Sequence, residues 1–208
     1  MNYSALEDNH GLKESPWNAL IAPRPIAWIS SVSNKGDCNI APFSYFQAVG
    51  NCHEPPYYVS VTMGIGKDTL NNIQYTHEFV VNMVSYDMRE RMNITAEDHK
   101  PEEDEFEIAG ITKEKCVTTS VPRLKESPIS IECNLFKILP LPDDNGEIPS
   151  VLVIAKAKHV HIKDKYIVEG RISTHDMGLI TRLGYDEYST INTVWKMPKP
   201  YYKFIKKK

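Results

Sequence analysis

Ile129-Ser130-Ile131-Glu132-Cys133-Asn134-Leu135-Phe136-Lys137-Ile138, the loop Leu141-Pro142-Asp143-Asp144-Asn145-Gly146 and the run from Val151 to Ile162 decide the fold. Both flanks are long runs of β-forming residues, and the loop between them collects turn formers, so the three pieces predict an antiparallel hairpin. Outward from it, further strands are expected. Ile26 to Ser33 is rich in β-formers and stops at the turn signal Ser33-Asn34-Lys35-Gly36-Asp37. Tyr57 to Met63 alternates after Pro55-Pro56, and Glu78 to Val84 is β-branched. Helical spacing is shorter-lived. Asp68 to Tyr75 carries Leu70 and Ile73, with Asp68 or Thr69 as cap, and Tyr86 to Ala96 carries Met88, Met92 and Ile94. A third short helix is expected near Met177 to Leu183, ended by Gly184. Strands and helices do not alternate regularly, and no G-x-G-x-x-G follows a strand, which disfavours a doubly wound parallel sheet and a dinucleotide fingerprint. A mostly antiparallel barrel with helical insertions fits.

The 208 residues fit one domain spanning 1–208, with its core over about 16–190. A chain of this length buries a sizeable core without staples. The formal net charge of −3 argues against a nucleic-acid binder, which needs a basic stripe to displace counterions. The basic tail Lys203, Lys206, Lys207, Lys208 is local and reads as solvated. No apolar run approaches the roughly 20 residues that cross a bilayer, and Met1 to Lys13 is polar, unlike a secretory signal. Cys38, Cys52, Cys116 and Cys133 form no C-x-x-C pair, so their spacing indicates neither a zinc site nor a redox motif. The expectation is a reduced, cytoplasmic protein.

Four segments carry candidate chemistry. In Pro23-Arg24-Pro25, the prolines stiffen the backbone around a guanidinium that could grip a phosphate or carboxylate. In Asn39-Ile40-Ala41-Pro42-Phe43-Ser44-Tyr45-Phe46, the proline interrupts ladder pairing and frees backbone groups for a ligand's polar edge. In Gly64-Ile65-Gly66-Lys67-Asp68-Thr69, glycines, a lysine and a hydroxyl lead into a helix N-terminus, the best anion site in the chain. Arg182-Leu183-Gly184-Tyr185-Asp186-Glu187-Tyr188 places two tyrosines beside an arginine, an arrangement that more often packs than binds. His159 and His161 read as solvated strand histidines, the acidic stretch Glu97 to Glu107 as a solvated loop or a lid, and Cys133 as a small packed hydrophobe. No metal site and no catalytic acid, base or nucleophile is assigned.

Taken in order, these segments resemble the flavin reductase-like, FMN-binding split-barrel family, in its flavoredoxin branch. The resemblance rests on Pro23 to Ser30, Asn39 to Phe46, Lys67-Asp68-Thr69 followed by Asn72, Glu78 to Asn82, Asp104-Glu105-Phe106, Ser127-Pro128 and Glu132-Cys133. It implies a mainly β fold, a six-stranded antiparallel split β-barrel of Greek-key character with short helical insertions. It implies a homodimer with one FMN per subunit near the interface. Lys67, Thr69 and Ser44, with Arg24, would hold the phosphate, and Asp68 counts among the cofactor-binding residues beside them. Ile26, Ala27, Trp28, Ser30, Asn39, Ala41 and Pro42 would line the ribityl chain and ring. The implied activity is an NAD(P)H-linked flavin reductase, passing electrons through FMN to a flavin, a metal ion or a protein. The alternatives are a non-enzymatic FMN electron carrier and a barrel without flavin.

Overall fold

The computed structural model describes residues 1–51 and 53–198, so the basic tail lies outside the described residues. Seven strands make the main sheet: β1 (Ala27–Val32), β2 (Cys38–Phe43), β3 (Phe46–Val49), β4 (Tyr58–Gly64), β5 (Glu78–Met83), β6 (Ile129–Leu141) and β7 (Ser150–Ile162). Their order is β2-β1-β5-β6-β7-β4-β3, with every pairing antiparallel. Strands β5, β6 and β7 form a meander, and β4 lies beside β7 after a long connection, which is a Greek key. The count of seven replaces the expected six. The first and last strands of the sheet, β2 and β3, are separated in sequence only by Ser44 and Tyr45, so the chain turns a corner there from one edge to the other. Two residues cannot span far, so the sheet must curl until its edges meet at that corner. No ladder joins β2 to β3 among the described residues, so the barrel does not close by hydrogen bonding.

The alternation of each strand sorts side chains between two cores. Ala27 and Ile29 of β1 face inward with Val61, Phe79, Val81, Val153 and Leu70. Ile26, Trp28 and Ile40 point outward and are covered by Met88, Met92, Phe106 and Leu124. Cys133 is 1% exposed in the inner core, where it packs as a small hydrophobe.

The helices are α1 (Trp17–Leu20), α2 (Asp68–Thr76), α3 (Arg89–Ile94) and α4 (Glu105–Ile108). Helix α2 ends at His77 in the left-handed region, whose N–H donates to Ile73 O at 2.9 Å. The expected helix Tyr86–Ala96 begins as a 3-10 turn at Tyr86–Met88 before becoming α3. The expected third helix is absent: Ile180–Arg182 is a strand between Arg24–Pro25 and Tyr188–Thr190. Gly184 is therefore not a helix cap. A Cβ there would sit 2.6 Å from Ala19 Cβ, so glycine is required by the close approach of α1.

Candidate functional site

The corner that joins β1, β2 and the start of α2 holds a cavity of about 110 Å³. Asn39, Ala41 and Pro42 form its strand wall, and Lys67, Asp68 and Thr69 its helical mouth. Thr95, Glu97, Asp98 and His99 from the segment after α3, and Glu105 at the start of α4, complete it. Gly66 turns the chain into α2 at φ +84°, a conformation that a side chain would strain. Lys67 occupies the cap position in extended backbone with no side-chain cap bond, so the first amides of α2 remain available as donors.

A polar network holds this corner from below. Thr69 Oγ1 donates to Asn39 Oδ1 at 2.8 Å, and Ser31 Oγ donates to the same oxygen at 3.1 Å. Asn72 Nδ2 donates to Ser31 Oγ at 3.1 Å, which ties α2 to β1. Asn39 Nδ2 donates to Glu105 Oε1 at 2.6 Å. Glu105 is 6% exposed, and its burial raises its pKa against the opposing hydrogen bonds from Asn39 and the backbone. Above the cavity, Lys67 Nζ meets Asp98 Oδ1 at 2.8 Å, and the hydrogen bond and charge of Lys67 hold the Asp98 carboxyl below its ordinary value.

Half of the residues singled out in the sequence converge here: Asn39, Ala41, Pro42, Lys67, Asp68 and Thr69. The others are placed elsewhere. Arg24 is 7% exposed, and its guanidinium donates to the carbonyl oxygens of Asn18, Ile21 at 2.7 Å and Leu183 at 2.9 Å. It fastens α1 to the C-terminal hairpin. Ile26, Ala27, Trp28 and Ser30 are buried in the cores, and Ser30 Oγ donates to Pro122 O at 2.7 Å. Trp28 does not line the cavity, but its Nε1 donates to Oγ1 of Thr95, which does, at 2.8 Å. Ser44 is half-buried at the β2–β3 corner, outside this cavity. Arg182 bonds Tyr188 Oη and Tyr185 O within its own hairpin. The acidic stretch is not uniformly solvated: Asp104 Oδ1 caps α4 by accepting from Phe106 N at 3.0 Å, which turns Glu105 inward. Neither Thr95 nor Glu105 carried a local signal, because their partners lie far away along the chain. Asp104-Glu105-Phe106 was visible only as part of an ordered set of motifs.

At about 110 Å³ the cavity has room for a phosphate-sized group but not for a whole mononucleotide. A half-exposed ammonium and free helix amides suit such an anion. Asp98 already offers Lys67 a carboxylate in that place. A curled antiparallel sheet with few helices and a small polar cavity beside an edge strand defines a mainly β protein of the split-barrel class. Within that class the chain belongs to the flavin reductase like domain family, which matches residues 20–172. A protein of Aquifex aeolicus is 47% identical over 128 residues, 60% of this chain and 64% of that protein. Among solved structures, nitrilotriacetate monooxygenase component B from Bacillus cereus superimposes with a TM-score of 0.87 at 28% identity, covering 95% of this chain and 98% of that one. The 2-nitrobenzoate 2-nitroreductase of Pseudomonas fluorescens gives 0.83 at 28% identity, with 96% of each chain covered.

Proposed function

We propose that this chain is an FMN-binding oxidoreductase, an NAD(P)H-linked flavin reductase that passes electrons to a flavin, a metal ion or a protein. The convergence of Lys67, Thr69 and the free start of α2 on one small cavity carries the reading. Lys67 and the amides of Asp68 and Thr69 would hold the phosphate. Asn39 fixes Thr69 by accepting a hydrogen bond from its hydroxyl at 2.8 Å, which leaves the Thr69 amide to face the anion. Ala41 and Pro42 supply a wall for the ribityl chain, on a strand edge that needs no donor from Pro42. Bound FMN supplies the hydride-accepting ring, and the protein supplies position and electrostatics. A cavity of about 110 Å³ has room for no more than the phosphate end, so the reading includes a homodimer in which a second copy would help to enclose the ring.

The proposal includes a reduced, cytoplasmic setting. Cys38, Cys116 and Cys133 are free, net charge is modest, and no helix among the described residues is long and apolar enough to cross a membrane. The test is anaerobic stopped flow of the FMN-loaded protein against NADH and NADPH. Rapid bleaching of the flavin band is expected. No bleaching by either nucleotide, with reduction by a protein donor instead, would replace the reductase with an electron carrier. A chain that takes up no FMN would remove both.

A further inference from the structure

A second group of chemically capable side chains lies away from the flavin site, where the long β6–β7 hairpin meets the segment 116–119. Glu132 on β6 is 0% exposed, and its two oxygens accept four bonds. Val117 N and His161 Nε2 meet Oε1 at 2.7 and 2.6 Å, and Thr118 N and Oγ1 meet Oε2 at 2.6 and 2.5 Å. These bonds pin the loop that begins at Cys116 onto the carboxylate. The thiol of Cys116, a Glu132 oxygen and a His161 nitrogen all lie within 4.8 Å of one another. The His159 ring sits 4.8 Å from that of His161, centroid to centroid, on the same strand. Both were expected as solvated strand histidines, yet the His161 side chain is only 17% exposed and faces a buried carboxylate.

We propose that Cys116, Glu132 and His161 form a binding site for one zinc-class divalent cation, with His159 or water as the fourth ligand. Sulfur, imidazole and carboxylate together suit zinc and its congeners, whereas magnesium and calcium prefer oxygen alone. A thiolate and a carboxylate would balance the charge of a divalent ion. Arg123, the cation whose charge acts on Cys116, is paired with Glu114 at 2.6 Å. The backbone bonds to Glu132 are the kind of support that orients a ligating carboxylate. Ligand–metal distances of about 2.0–2.2 Å in a tetrahedral site set the nitrogen and oxygen about 3.3 Å apart. The His161–Glu132 pair must therefore open by about 0.7 Å, which a small ring rotation provides. The metal would staple the segment 116–118 to the sheet.

The full chain, freed of metal with a chelator and dialysed, is titrated with cobalt(II) and then zinc(II). Cobalt should give near-ultraviolet thiolate charge-transfer and strong visible bands, saturating at one metal per chain. Zinc should displace them and raise the melting temperature. Cys116→Ser should lose the charge-transfer band. His161→Gln, which keeps a donor for Glu132, should weaken binding by at least about tenfold. Circular dichroism verifies that both variants are folded. No cobalt bands at excess metal, or bands that persist in Cys116→Ser, overturn the site. Neither outcome bears on FMN binding.

Discussion

Replacing Lys67 with alanine tests the phosphate site most directly. Among the described residues Lys67 is the one lysine or arginine lining the cavity, and its side chain is 52% exposed. A hydrogen bond to a charged group contributes about 1.5–3 kcal/mol. Solvent screening of a half-exposed group places Lys67 near the lower end, about 1.5 kcal/mol, or roughly a tenfold loss of FMN affinity. In free protein Lys67 is engaged with Asp98, so part of its binding energy goes into breaking that contact. The assay is titration by flavin fluorescence, with FMN and riboflavin in parallel. Riboflavin lacks the phosphate, so its affinity should not change. The melting temperature should hold as well, because Lys67 makes no buried contact of its own. An unchanged FMN dissociation constant would refute the phosphate assignment. An equal loss for riboflavin would show that the substitution disturbs the ring site instead.

Three other outcomes follow from the same geometry. Asp98→Asn removes the carboxylate that occupies Lys67, so FMN should bind more tightly while riboflavin does not, by the same titration. Glu105 has its pKa raised above the ordinary 4.5 by burial, so the folded state takes up this proton before the unfolded state does. Above the folded pKa its buried charge destabilises the fold, and that cost disappears as pH falls to about 4.5. Urea midpoints should therefore show wild type losing stability relative to Glu105→Gln as pH rises from 4.5, with a flat difference below it. Ile29→Ala empties a fully buried position in the inner core and should cost about 2–5 kcal/mol, read as a lowered urea midpoint.

What the sequence disclosed depends on how far apart the partners lie along the chain. The Lys67-Asp68-Thr69 mouth was legible because a glycine turn, a cation and a helix start are contiguous, and local backbone rules govern all three. The long hairpin was legible for the same reason, since β6 and β7 are neighbours joined by a short loop. The Gly184 reading failed where a local rule met a tertiary demand. A glycine after an apolar run looks like a helix cap, but this one makes room for Ala19, and the run before it pairs with Arg24–Pro25 from the far end of the chain. Arg24 was misplaced by the same mechanism. A guanidinium between prolines looks free to meet a ligand until Leu183 O, 159 residues away, is brought to it. Glu105 and Thr95 join the cavity through contacts 66 and 67 residues long, to Asn39 and Trp28, which no window on the sequence contains. His161 shows the principle most sharply. Strand alternation correctly put it on one face with His159, but the identity of that face follows from the β6–β7 register, which sets His159 opposite Glu132 after a bulge between Ala157 and His159. A one-residue slip in that ladder would send both rings to the other side of the sheet. The chemistry of Glu132 and His161 is thus a property of register, whereas that of Lys67 is a property of sequence.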